Sequence, residues 1–181
     1  RYADDFVVLC ATKAQVEEAR RRVGRVLTRL GLELHPEKTR TVDLSRGREG
    51  FDFLGCHLRK RMSGPQWIRT RRRVFYLQRW PSQRAMTRVR TRVRELTRRS
   101  RCHEDVRGII ADVNPVLRGW GQYFRTGNAA VKFVQVDTYV EERLRALLVK
   151  RAGSRLRAGR TDLWRRSFFE ALGLCRLCGS I

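Results

Sequence analysis

The sequence predicts an α+β protein in which a strand-containing part, residues 1–80, is followed by a helical bundle, residues 81–181. Short runs rich in β-branched and aromatic residues, separated by glycine and proline, occupy much of the first part. Beyond Pro81 the apolar residues recur at the three- and four-residue spacing of helices. At 181 residues, 41% of them hydrophobic, the chain is long enough to bury a core.

The first part combines one helix with several short strands. The apolar run 6–9 has the composition of a buried strand. A helix is predicted next, because Thr12 and Gln15 fit a capping box and Gly31 marks a stop. Short strands are then predicted at 39–44, 50–60, 66–70 and 73–80.

The second part contains four predicted helices. In the first, residues 82–100, Ser82 is the expected N-cap and the apolar face holds Met86, Val89, Val93 and Leu96. The second covers 103–127, where Glu104 and Asp105 suit the N-terminus and Pro115 is expected to kink or split the helix. The last two are predicted at 130–151 and 161–172.

Charge is the outlying property of the composition. The chain has 41 basic residues, 36 of them arginine, against 18 acidic ones, a net charge of +23. Such a field favours a polyanionic partner, either nucleic acid or an anionic membrane surface, and composition alone does not choose between them. No apolar run approaches the roughly 18 residues of a membrane span, and no signal segment is recognisable. We therefore expect a soluble cytoplasmic protein, from a bacterium.

The distribution of charge favours nucleic acid. Between residues 53 and 94 there are 13 basic residues and no acidic one, with Trp67, Phe75, Tyr76 and Trp80 interleaved. Guanidinium groups grip phosphates, and aromatic faces stack on bases. The alternative to nucleic-acid binding is a solvated surface that is rich in arginine because of codon usage. Such a codon bias replaces lysine by arginine, however, and does not remove aspartate and glutamate from a segment. The predicted nucleic-acid contacts are Arg59, Lys60, Arg61, Arg69, Arg71, Arg72, Arg73, Arg84, Arg88, Arg118 and Arg125.

The five cysteines form an odd and scattered set, which argues against a disulfide framework. Cys175 and Cys178 have the spacing of half a zinc site, but no second pair exists to complete four ligands. Ordinary thiols in a closing apolar segment are the favoured interpretation.

Two adjacent carboxylates, Asp4 and Asp5, stand directly before the apolar run 6–9. They repel each other, and a neighbouring apolar strand makes their ionisation harder still. A divalent cation removes the conflict, because Mg²⁺ takes oxygen ligands and keeps positions open for phosphates. Two such ions about 3.5–4 Å apart support in-line phosphoryl transfer. As a bare dipeptide the pair could also be an ordinary turn.

The surrounding segments carry a family resemblance. The sequence YADD (2–5) before an apolar run resembles the catalytic hairpin of reverse transcriptases. The later segments resemble, in order, the group II intron-encoded reverse transcriptase/maturases. These are GLELHPEKT (31–39), FDFLGCHLRKR (51–61), NPVLRGWGQYFRTG (114–127), DTYVEERLRALLVKR (137–151) and GLCRLCG (173–179).

The resemblance implies the C-terminal part of a polymerase palm at 1–80 and a maturase-specific thumb, domain X, at 81–181. It assigns Asp4 and Asp5 to a two-ion Mg²⁺ site, and places Tyr2 and Ala3 under the primer terminus and incoming nucleotide. Lys38 falls where a lysine would meet the nucleotide's triphosphate, although an exposed lysine after a turn is the simpler alternative. In the same way Gly55, with Phe53 and Leu54, would shape the primer grip, and Trp120, Tyr123 and Phe124 are expected in the thumb core.

The implied partners are intron RNA, template RNA and a DNA primer. A third carboxylate and the nucleotide-holding fingers would lie upstream of Arg1, so the chain alone is predicted to be an inactive C-terminal fragment. Three alternatives stay open: a non-catalytic RNA-binding maturase remnant, a reverse transcriptase of a CRISPR-associated or diversity-generating element, and a generic basic DNA-binding protein. The last leaves the ordered motifs unexplained.

Overall fold

A computed structural model of the chain describes Tyr2 and residues 4–153 and 163–179. It contains helices and a three-stranded antiparallel sheet of order β1-β2-β3, which confirms the predicted α+β class. The first part comprises α1 (Lys13–Arg29), β1 (Gly50–Phe53), β2 (Cys56–Met62), α2 (Gly64–Thr70) and β3 (Phe75–Pro81). The helical part comprises α3 (Gln83–Leu96), a 3-10 turn (Arg99–Arg101), α4 (Val106–Phe124), α5 (Ala130–Ala152) and α6 (Arg166–Ala171).

Helix α1 begins at the predicted capping box. The Thr12 hydroxyl accepts the Gln15 backbone N–H at 3.3 Å, and the Gln15 side chain accepts the Thr12 N–H at the same distance. No residue of α1 is buried, however. The prediction of a buried strand at 6–9 is wrong: these residues are irregular and mostly exposed, because no described strand lies alongside to pair with their backbone.

Two other strand predictions are wrong for local reasons. Residues 39–44 are irregular. The Asp43 carboxylate accepts a hydrogen bond from the Ser45 N–H at 2.8 Å, and the backbone N–H of Asp43 donates to the Glu49 carboxylate. Residues 66–70 belong to α2, which begins at Ser63 as N-cap with Pro65 in its first turn. These helix-start signals outweigh the β-type composition of the run.

The predicted run 50–60 is a hairpin rather than one strand. β1 pairs with β2 from Gly50↔Arg59 to Phe53↔Cys56, which leaves Leu54 and Gly55 as a two-residue turn. Their φ angles are +48° and +74°, and positive φ at both positions is what a type I′ turn demands. Glycine adopts this conformation freely, whereas a leucine in it is uncommon. The predicted strand 73–80 is confirmed as β3.

The core lies in the helical part, where α3 packs against both α4 and α5. Met86, Val89 and Val93 are buried on α3 as predicted, and Ser82 caps the helix through the Ala85 N–H. Helix α4 runs unbroken through Pro115, so the predicted split does not occur; fully buried Val113 and Leu117 on either side hold the helix to the core. Of the predicted helix 161–172, α6 covers Arg166–Ala171, and residues 161–162 lie outside the described residues.

The sheet is joined to the helical part through the loop that follows α4. The Asn128 N–H donates to the Arg79 carbonyl of β3 at 2.7 Å, and the Arg79 guanidinium donates to the Thr126 hydroxyl. A Cβ added at Gly127 would lie only 2.6 Å from the Arg79 carbonyl oxygen. This close backbone approach requires glycine at that position.

We predict that Gly127→Ala lowers the free energy of unfolding by about 1–3 kcal/mol, because the new methyl group forces the loop away from β3. Gly119→Ala is the matched control, since nothing lies within 4 Å of a Cβ built there in α4. The control is expected to be neutral or to stabilise by up to about 1 kcal/mol, because alanine favours helix. Urea unfolding of both variants measures the difference, and equal effects would contradict the prediction.

Candidate nucleic-acid interface and metal-binding turn

The paired aspartates lie in a tight turn at the start of the chain. The Tyr2 N–H donates to the Asp5 carbonyl at 2.8 Å, and the Asp5 N–H donates to the Tyr2 carbonyl at 2.9 Å. Asp4 therefore lies within the turn and Asp5 at its base, and both are exposed; Ala3 lies outside the described residues. The pair thus lies in a turn, and no strand follows it at 6–9.

The chemistry of this turn suits a hard divalent cation. Within the described part of the chain neither Asp4 nor Asp5 forms an ion pair, although the chain carries a net charge of +23. Two free carboxylates are the oxygen ligands that Mg²⁺ prefers. No cluster of three or more histidine, cysteine, aspartate or glutamate side chains able to hold a metal occurs among the described residues. A metal ion at this turn would therefore take no more than two carboxylate ligands from the described residues.

Lys38 is not brought into contact with this turn. It lies exposed in the turn 36–38, where the Thr39 N–H donates to the His35 carbonyl at 2.9 Å, and no hydrogen bond or ion pair joins it to Asp4 or Asp5. Its predicted position beside a nucleotide's triphosphate therefore stays a prediction.

The Leu54–Gly55 turn rests on the helical part. The Tyr123 hydroxyl donates to the Leu54 carbonyl at 2.9 Å, and the Ser82 N–H donates to the Gly55 carbonyl at 2.8 Å. A Cβ at Gly55 would contact the Phe124 ring at 3.7 Å. The predicted primer-grip turn is therefore held at Leu54 by the C-terminal end of α4 and at Gly55 by the N-cap of α3.

Two of the three aromatic residues predicted in the core of the helical part pack there. Phe124 is buried, and Trp120 lies 4.9 Å from it and 5.6 Å from Phe133 between ring centroids. The prediction is wrong for Tyr123, whose side chain is 58% exposed because its hydroxyl reaches outward to the Leu54 carbonyl.

Four of the predicted nucleic-acid contacts are already engaged with the protein. Arg59 donates to the Gly47 carbonyl at 2.9 Å, and Arg69 donates to the Gln66 side chain at 3.1 Å. The guanidinium groups of Arg61 and Arg71 lie over the rings of Trp80 and Trp67, 5.8 and 5.9 Å from their centroids. These contacts orient the guanidinium groups without neutralising their charge.

The other predicted basic side chains make no hydrogen bond or ion pair with a described residue. They are Lys60, Arg72, Arg73, Arg84, Arg88, Arg118 and Arg125, all exposed except the half-buried Lys60. Arg84 and Arg88 lie one turn apart on α3, beside Thr87 and Thr91 and opposite the buried face of the helix. Further along this outward face of α3, Arg92 pairs with Glu95 at 2.9 Å, so Arg84 and Arg88 are its unpaired charges among the described residues.

Comparison with known protein families matches two parts of the chain. Residues 1–58 match the reverse transcriptase (RNA-dependent DNA polymerase) family, and residues 86–165 match the group II intron maturase-specific domain. The chain belongs to the group II intron reverse transcriptase/maturases. This maturase matches none of the curated proteins compared with it. The maturase-specific match does not favour a reverse transcriptase of another element or a generic DNA-binding protein.

The two candidate regions fall in the matches to two different family domains. The Asp4–Asp5 turn falls in the reverse transcriptase match, and most of α3 falls in the maturase-specific match. Both domains imply RNA binding, which is consistent with the net charge of +23. Among the described helices of the maturase, none is long and apolar enough to span a bilayer.

Two polar residues of the maturase-specific domain have a role that the sequence did not predict. The Asn114 side chain donates to the Gly173 carbonyl at 2.9 Å and accepts the Cys175 N–H at 2.8 Å. The Asp137 carboxylate, only 4% exposed, accepts the N–H groups of Leu177 at 3.0 Å and Cys178 at 3.2 Å. Both residues thus fasten the segment 173–179 to the helices. The sequence signal that could have indicated this role is the position of Asp137, a single acidic residue between the apolar residues Val136 and Val140.

Charge around Asp137 is compensated by one arginine. Arg166 lies 3.1 Å from Asp137, 3.2 Å from Glu141 and 3.1 Å from Glu170. Burial raises the pKa of the Glu141 carboxyl above its ordinary value, and Arg166 only partly opposes this. One guanidinium therefore serves three carboxylates at the contact between α5 and α6.

The five cysteines of the maturase are free thiols. Cys102 and Cys178 pack against the core, and burial raises the pKa of the Cys56 thiol. A raised pKa disfavours the reactive thiolate. Nothing in these surroundings marks the cysteines for chemistry.

Proposed function

We propose that this maturase acts in Mg²⁺-dependent nucleotidyl transfer on an RNA template, with Asp4 and Asp5 as metal ligands and its basic surface holding intron RNA, template and DNA primer. One observation carries the proposal. In a chain of net charge +23, two adjacent exposed carboxylates stay free of ion pairs with any described residue. Carboxylates kept free in a positive field are suited to a cation that itself binds phosphates.

We propose a role for each residue of the predicted site. Bound Mg²⁺ would activate the primer's 3′-hydroxyl and stabilise the leaving pyrophosphate. Asp4 and Asp5 would hold the ion, and the mutual backbone bonds of Tyr2 and Asp5 fix the turn that presents them. The Tyr2 side chain, 66% exposed, and Ala3 would lie under the primer terminus, and Lys38 remains the candidate partner of the triphosphate.

Because the described residues offer only two carboxylates at this site, we propose that the chain alone does not synthesise DNA. Primer extension on an RNA template, with Mg²⁺ and all four deoxynucleotides, is expected to give no processive product. Processive synthesis by the chain alone would refute this part of the proposal.

Metal binding is tested separately by titrating the chain, in complex with a primer–template duplex, with Mn²⁺ and following the free ion by electron paramagnetic resonance. We predict that Asp4→Asn weakens Mn²⁺ binding about tenfold or more, since even substitutions outside the ligand set commonly cost that much. Glu17→Gln, at an exposed position of α1, is the control of equal charge change. Equal affinities in the wild-type chain and Asp4→Asn would remove the aspartate turn from the metal site.

A further inference from the structure

One face of the β2–β3 pair carries aromatic and basic side chains in register. His57 lies opposite Trp80, and Arg61 lies opposite Tyr76. Because successive side chains of a strand alternate between faces, these four residues share one face, with Arg59 and Gln78 between them. Leu77 points to the other face.

Contacts along this face hold Trp80 and Arg61 in place. The His57 ring lies 5.1 Å from the Trp80 ring at 44°, and its Nδ1 lies 2.6 Å from the Asp52 carboxylate. The Arg61 guanidinium lies over the Trp80 ring at 5.8 Å. Trp80 is therefore engaged on its own face of the sheet, and it positions Arg61 along the strand.

Unlike Trp80, the Tyr76 side chain is not held by a neighbouring side chain among the described residues. Its side chain is 50% exposed, and it has no ring contact or side-chain hydrogen bond with a described residue. The strands make their extensive contacts with one another, and none of the described helices packs extensively on them. The Tyr76 ring is thus an exposed aromatic surface on the same face as the Arg61 guanidinium, which lies further along the strand over Trp80.

The charge around Tyr76 selects the partner. The nearest acidic residues in sequence are Asp52, already paired with His57, and Glu95; in space, Asp43 interacts with Lys60, whose side chain lies on the opposite face with Leu77. Arg59, Lys60 and Arg61 lie on the adjacent strand, and Arg71 to Arg73 lie just before β3. An aromatic ring in such surroundings suits a ligand that combines a planar base with a phosphate.

We propose that Tyr76 and Arg61 form a stacking site for an unpaired base of a single-stranded nucleic acid. This inference rests on the proposed nucleic-acid binding and adds the class of ligand that the sheet face accepts. The base stacks on the Tyr76 ring, and the Arg61 guanidinium, held by Trp80, contacts the adjoining phosphate. A fully paired duplex offers no free base to this face.

The test measures binding of the full chain to a single-stranded RNA of about 12 nucleotides carrying one 2-aminopurine, to the DNA of the same sequence, and to the RNA duplex. Tyr76→Ala is expected to weaken single-strand binding by about 5- to 100-fold and to abolish quenching of 2-aminopurine. Duplex affinity is expected to change by less than about twofold. Tyr76→Phe, which keeps the ring, is expected to match the wild-type chain.

Leu77→Ala is the matched control, because Leu77 is equally exposed on the same strand but lies on the opposite face. The stacking site is refuted if Leu77→Ala has the effect of Tyr76→Ala, if Tyr76→Ala weakens duplex binding equally, or if Tyr76→Phe loses as much as Tyr76→Ala. A wild-type chain that binds none of the three probes refutes the proposed nucleic-acid binding itself. Salt-sensitive binding that ignores Tyr76 refutes only the stacking site.

Discussion

Asp137→Ala is expected to lower the free energy of unfolding by about 3–5 kcal/mol, the largest effect on stability that we predict. The substitution leaves the N–H groups of Leu177 and Cys178 without their acceptor and Arg166 without its most buried partner. Buried donors that lose their acceptor keep the full cost of desolvation. Thermal and urea unfolding, followed by circular dichroism, measure the loss.

Asp112→Ala is the appropriate control for this prediction. Asp112 also pairs with an arginine, Arg101, at 2.7 Å, but its side chain is 50% exposed and Arg101 keeps Glu104 as a partner. We expect a cost below about 1 kcal/mol, as for other exposed ion pairs. In addition, Asp137→Ala is expected to speed proteolysis within residues 173–179. An effect of Asp137→Ala no larger than that of Asp112→Ala would contradict the assigned role.

The second large effect is expected from Arg84→Glu combined with Arg88→Glu. Neither side chain has a partner among the described residues, so both charges are available to phosphates. The double substitution is expected to weaken RNA binding by more than about tenfold and to reduce the slope of log affinity against log salt by about 2. Fluorescence anisotropy with a structured RNA, measured across a salt series, gives both quantities.

A second double substitution with the same change of charge distinguishes the effect of the position of the arginines from the effect of total charge. Arg20→Glu with Arg107→Glu alters two exposed arginines, one on α1 and one in the first turn of α4, both outside the acid-free stretch 53–94. This pair is expected to change the salt slope by clearly less than the α3 pair. Identical losses from the two pairs would show that overall charge, and not the α3 face, determines affinity.

Features specified by neighbouring residues could be predicted from the sequence. The capping box at Thr12, the cap at Ser82 and the buried face of α3 each depend on residues a few positions apart. The strand at 6–9 was predicted wrongly because strand formation depends on a distant pairing partner. In α2 the start signals at Ser63 and Pro65 lay just before the run that resembled a strand.

The features of the candidate site also fall into those that neighbouring residues specify and those that depend on contacts between distant residues. Asp4, Asp5 and the acid-free stretch are contiguous in sequence and could be recognised there. The bond between Tyr123 and Leu54 joins residues 69 positions apart, and the bond between Asn114 and Gly173 joins residues 59 positions apart. Such contacts follow from the packing of helices and sheet, which periodicity does not specify.

The attachment of the Leu54–Gly55 turn has a mechanical consequence for the maturase. The turn is tied to the helical part by the Tyr123 hydroxyl of α4 and by the N–H of Ser82, the N-cap of α3. A displacement of α4 of even a few ångströms relative to the turn breaks the bond between the Tyr123 hydroxyl and the Leu54 carbonyl, whereas a displacement of both together preserves it. The hairpin turn and the C-terminal end of α4 are therefore expected to move as one unit, so that a change in the position of one is passed directly to the other.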